Sequence, residues 1–158
     1  MVTFLIILDF MLLPNFFKKE PILDKLPEPL ERISGLVAKE PNKQAALRLA
    51  YNLVSEKFPG FRIRMFALFW IIFYKDLDRL MQERFLFCTQ VNYILRNVLI
   101  NSGWYKDEDI QLKWSLVWYV VPHQYLKIRV SENEYMNIDP WARRLGIKFG
   151  DYLYGFHG

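Results

Sequence analysis

Three side chains in this sequence come in an order that suits nucleophilic acyl chemistry: Cys88, which is the single cysteine, then His123, then Asp139 sixteen residues further on. A cysteine thiolate attacks an acyl carbon, an imidazole takes and returns the proton, and a carboxylate fixes the imidazole tautomer. Cys88 lies where the chain enters a helix, and the positive end of a helix dipole favours a thiolate. Each residue also has a plain alternative. A free cysteine is often a small buried hydrophobe, His123 can be an ordinary surface histidine, and Asp139 can be a strand-end turn residue before Pro140. Only their combination points to catalysis. The other histidine, His157, is assigned no role.

The elements that must position these groups follow from apolar spacing. Pro14, Pro21, Pro27 and Pro29 make residues 14–29 an extended connector. Leu30, Ile33, Leu36 and Val37 predict a short amphipathic helix to Lys39, ended by Pro41. Asn42 is placed to cap a second helix that runs to Phe58 and is closed by Pro59-Gly60. The nearly continuous apolar run over 62–83 predicts a buried helix, with a buried strand at its start as the alternative. From Cys88 to about Ser102, Val91, Ile94, Leu95, Val98 and Leu99 form one apolar face, and Gly103 stops the helix. In its first turn, Thr89 and Gln90 read as capping groups.

After Gln111 the period changes from 3.6 to 2. Leu112 to Val121 predicts one strand ended by Pro122, and His123 to Val130 a second. In the second, Leu126, Ile128 and Val130 face the core, while His123, Tyr125, Lys127 and Arg129 face away. Ser131-Glu132-Asn133 reads as a turn into a third strand, Glu134 to Asp139. A three-residue turn sets Val130 opposite Glu134 and Asp139 opposite Tyr125, two residues from His123 on the same face. Diagonal neighbours across strands are within reach of long side chains, and a shift of one residue would turn Asp139 away. The glycine-bearing tail after Leu145 predicts mostly loop. Helices first and antiparallel strands second make an α+β layout, with the helices packed on a small sheet.

Size and composition fit one domain over residues 1–158, with 1–29 as an apolar segment and proline-rich connector. Hydrophobic residues at 53% and aromatics at 17% exclude a disordered chain. The net charge of +4 is scattered among acids, so no basic stripe suggests a nucleic-acid partner. A lone cysteine excludes an intrachain disulfide framework, and with two histidines it argues against a structural zinc site. Residues 1–13 carry Asp9 and fall short of a bilayer span, and they lack the marks of a signal peptide. The expectation is a cytoplasmic protein in a reducing compartment, with no membrane span.

Cys88 at a helix start, His123-Gln124-Tyr125-Leu126-Lys127-Ile128 on a strand and Asn137-Ile138-Asp139-Pro140-Trp141 on the next resemble the transglutaminase-like superfamily over residues 83–142. That resemblance implies a papain-like core with the nucleophile at a helix N-terminus. It implies the triad Cys88, His123 and Asp139, no metal or organic cofactor, and a protein or peptide substrate. The backbone N–H of Cys88 is the natural first oxyanion donor. Gln82, six residues upstream, stands at the offset where papain-like proteases place a glutamine and is a second candidate. Trp114 and Trp118 are candidates for lining a cleft, with core packing as their alternative. The expected function is acyl transfer from an amide through a thioester, to water or to an amine. The competing readings are a non-catalytic protein-binding module on the same fold and a membrane-peripheral protein anchored by residues 1–13.

Overall fold

Four α-helices precede a three-stranded antiparallel sheet among the residues that the computed structural model describes, 18–59, 74–83 and 85–156. The architecture is therefore α+β. Residues 1–13, His157 and most of the buried helix expected over 62–83 lie outside the described residues.

Helix α1 spans Glu28–Val37 and α2 spans Lys43–Lys57. The first starts earlier than its apolar spacing suggests, because Pro29 sits in the first turn, where a missing N–H costs nothing. Asn42 caps α2 by accepting the Ala45 N–H at 2.9 Å. A short α3, Leu77–Gln82, is capped by Asp76. Helix α4, Cys88–Asn101, ends before Gly103, whose φ of +83° is the left-handed value that lets the chain leave a helix without a Cβ clash. From Gln90 to Leu99 every residue of α4 is buried, since α1, α2 and the sheet pack around it. Most polar groups on a helix enclosed this way find partners within the protein. Accordingly, Arg96 donates to the Asp107 carboxylate at 2.8 Å and to the Glu20 carbonyl at 3.1 Å, and Asn97 accepts the Leu23 N–H at 3.0 Å.

The sheet runs in the order β1 (Ile110–Val117), β2 (Val121–Arg129), β3 (Tyr135–Ile138). Leu126 pairs with Ile138 and Ile128 with Met136, and the Val130 N–H reaches the Glu134 carbonyl at 2.9 Å. This is the register that the Ser131–Asn133 turn predicts. The first hairpin differs from expectation. The chain reverses at residues 118–120, with Trp118 and Tyr119 at φ +49° and +61°. Pro122, expected to end a strand, lies inside β2 opposite Leu116. Left-handed backbone in two aromatic residues is uncommon, because glycine and asparagine adopt it at far lower cost.

The tail is irregular, as its glycines suggest, but it is fastened across the sheet. Gly150 bridges Asn137 beside β3, Tyr152 stacks on Tyr125 of β2 at 4.0 Å between ring centres, and Ser115 of β1 donates to the Leu153 carbonyl at 2.6 Å. Gly155 then bridges Val117. At the other end of the sheet, Asp109 is buried between Lys43 of α2, at 3.2 Å, and Arg129 of β2. Burial would raise its carboxyl pKa, but the Lys106 N–H and the Arg129 and Lys43 side chains outweigh that and bring it down to about 2. No helix among the described residues is long and apolar enough to cross a membrane.

Candidate active site

The entry to α4 is fixed before its first residue. Phe87 is extended at φ −80° and ψ 162°, and the Gln90 side chain accepts the Phe87 N–H at 3.0 Å while donating to the Tyr74 carbonyl at 2.9 Å. Gln90 is thus the capping group anticipated from its position. The Thr89 hydroxyl is buried with no hydrogen-bond partner among the described residues. Cys88 follows the cap as the first helical residue and is partly exposed. Its N–H is one of those that an α-helix leaves without an intrahelical acceptor.

The strand bearing the imidazole is held against this helix start. The Gln124 N–H points to the Cys88 sulfur at 3.5 Å. Asn92 is fully buried, one helical turn beyond Cys88 on the same face. It donates to the Gln124 carbonyl at 2.8 Å and to the Gln124 side-chain oxygen at 3.3 Å. Two groups of α4 therefore grip the residue that follows His123.

His123 is buried, 3% exposed, and its Nε2 lies 2.6 Å from Oδ2 of Asp139, itself 1% exposed. The remaining acceptor capacity of Asp139 is used by backbone, with the Leu153 N–H at 3.1 Å on Oδ2 and the Ala142 N–H at 3.2 Å on Oδ1. Trp141 packs beside the imidazole at 5.4 Å between ring centres and donates its indole N–H to the Leu86 carbonyl at 2.9 Å. That bond ties the segment leaving β3 to the segment entering α4.

The electrostatics follow from this enclosure. Burial pulls the His123 pKa down, but electrostatic interaction and hydrogen bonding with Cys88 and with the Asp139 carboxylate lift it to about 10. With Nε2 engaged by Asp139, Nδ1 is the nitrogen left for the sulfur. A thiol, an imidazole and a carboxylate thus meet at a helix N-terminus, a set able to generate a nucleophile and shuttle one proton.

No family model matches this chain, and neither does any curated protein or solved structure.

The structure brings Cys88, His123 and Asp139 together. Gln82 is the exposed last residue of α3, and no hydrogen bond joins it to Cys88 or His123 among the described residues. Trp114 is partly buried and lines a groove, whereas Trp118 stands 42% exposed in the hairpin turn. The face of β2 expected to be open around His123 is covered, because the tail lies across it. Asn92 and Leu153 also contribute to the site. Asn92 had a legible signal, its four-residue spacing from Cys88, whereas Leu153 acts through its backbone and had none. No group of three or more His, Cys, Asp or Glu that could hold a metal ion occurs among the described residues.

Proposed function

We propose that this chain is a cysteine-dependent acyl-transfer enzyme of transglutaminase-like type on a papain-like core, acting on an amide of a protein or peptide. The observation that carries the reading is the buried 2.6 Å contact between His123 and Asp139 beside a cysteine that opens a helix. Buried charged pairs are costly to maintain, and they concentrate where chemistry needs them.

In the reaction the Cys88 sulfur bonds to the amide carbonyl carbon, and the backbone N–H of Cys88 stabilises the oxyanion. The C–N bond breaks as the His123 imidazolium gives its proton to the departing nitrogen, leaving a thioester and a neutral imidazole. Water or an amine, losing a proton to His123, then attacks the thioester and releases the sulfur. Asp139 holds the ring with one nitrogen toward the sulfur and supports its charge. A reducing, cytoplasmic setting suits a protein whose one thiol is the nucleophile.

Alkylation tests the reading without a known substrate. A free cysteine has about one part in three hundred as thiolate at pH 6. Iodoacetamide should modify Cys88 at pH 6 at least about tenfold faster than free cysteine, and the advantage should shrink in His123→Ala. A rate that follows an ordinary thiol titration and ignores His123→Ala would instead support a non-catalytic binding module.

A further inference from the structure

A groove on the sheet is lined by the strand partner of the residue that touches the thiol, and by the residue before His123. Trp114 of β1 lies directly opposite Gln124, whose N–H meets the Cys88 sulfur. Residues paired this way share one face of a sheet, with side chains about 5 Å apart. The next pair on that face is Leu116 opposite Pro122, the residue before His123. Trp114, Leu116 and Pro122, with Tyr119, Tyr154 and Phe156, line a groove of about 550 Å³. None of the described residues lining it is charged.

The tail that contributes to the groove is fastened to the first hairpin. The Gly155 N–H donates to the Leu116 carbonyl at 2.7 Å, and the Trp118 N–H donates to the Gly155 carbonyl at 2.6 Å. The Tyr119 and Phe156 rings meet edge to face at 5.3 Å. An added Cβ on Gly155 would sit 3.5 Å from the Tyr119 hydroxyl, so the hairpin and the tail are in close contact. Yet apolar side chains lining the groove stay open, with Leu116 51%, Tyr119 67% and Phe156 75% exposed. A built, uncharged, aromatic groove of this volume has the character of a ligand site.

We propose that this groove is the acyl-donor subsite and receives a bulky apolar side chain, aromatic by preference, adjoining the carbonyl that Cys88 attacks. The proposal rests on the acyl-transfer reading and names its substrate class. Aromatic rings find edge-to-face partners in the groove. A charged side chain would lose water there and find no counter-charge among the described residues lining it.

The test compares rates of Cys88 modification by acetyl-phenylalanyl, acetyl-glycyl and acetyl-glutamyl chloromethyl ketones, with iodoacetamide as a reference too small to use the groove. The full chain should react with the phenylalanyl reagent about tenfold or more faster than with the other two. Leu116→Glu and Phe156→Ser alter exposed side chains and keep the backbone bonds. Each should bring the three rates within about threefold of one another while leaving the iodoacetamide rate unchanged. An activated Cys88 that treats the three reagents alike would overturn the subsite alone. So would an aromatic preference that survives in both variants. An ordinary iodoacetamide profile would overturn the acyl-transfer reading, and the subsite with it.

Discussion

Replacing Asp139 by asparagine removes one negative charge and turns one buried acceptor into a donor. The carboxylate accepts from His123 Nε2, the Leu153 N–H and the Ala142 N–H. An asparagine with its oxygen toward His123 and Leu153 aims its NH2 at the Ala142 N–H. The opposite orientation aims it at the Leu153 N–H and the imidazole. Either way a buried donor faces a donor, at a cost of about 1–3 kcal/mol that does not depend on pH. A second cost does depend on pH. The His123 pKa of about 10 is held up against burial by Cys88 and Asp139, so losing Asp139 lowers it. A histidine raised above its unfolded value contributes stability that is complete below about pH 6.5 and lost as pH rises through its folded pKa, at ~1.4 kcal/mol per unit. The stability gap between wild type and Asp139→Asn should therefore be widest near pH 6 and narrow by a few kcal/mol toward pH 10. Urea unfolding from pH 6 to 10 measures the gap, and NMR of the His123 ring reads the titration directly. Turnover of a peptide substrate should fall by a factor of about 10²–10⁴. A pH-independent gap together with an unchanged His123 titration would show that the carboxylate does not support the imidazolium.

Asn92→Ala removes the donor to the Gln124 carbonyl from a fully buried position and should destabilise the chain by about 1–3 kcal/mol in urea unfolding. A loss below about 0.5 kcal/mol would mean that the grip on Gln124 is slack. Asp109→Asn bears on acid stability. A carboxyl lowered to about 2 contributes stability that is present above about pH 4 and lost as pH falls toward 2. After discounting for solvent screening, its loss should cost about 1–2 kcal/mol near pH 7, a difference that shrinks across that acid window. Thermal melts at pH 7, 4 and 2 would show it, and a constant difference would count against the Lys43 and Arg129 pairs as its source.

What could be read in the sequence was what is periodic or punctuated. Helix α4 was legible because its apolar spacing starts at Cys88 and stops at Gly103, and α2 because Asn42 precedes it. The β2–β3 register was legible because the Ser131–Asn133 turn fixes it, and with it the approach of Asp139 to His123. The first hairpin was hidden because its turn carries Trp118 and Tyr119, and the alternation from Leu112 runs on through them. The burial of His123 was hidden for a different reason. The tail that covers it has no period, and it acts through the Leu153 backbone and through a stacked pair of tyrosines. Sequence spacing could single out Cys88, His123 and Asp139, but not the backbone groups that hold them in place.

The strap over the sheet also sets an order of assembly during synthesis. A nascent chain that has emerged only as far as Asp139 already contains the thiol, the imidazole and the carboxylate. It still lacks the Leu153 N–H that completes the hydrogen bonding of Oδ2, and the Tyr152 ring that stacks on Tyr125. Helix α4 and the β2–β3 hairpin are built from contacts available earlier, and domains fold as their segments become available. The carboxylate gains its full set of donors only after the tail has been made and has crossed the sheet, so the pairing of His123 with Asp139 stays incompletely supported until that late docking event.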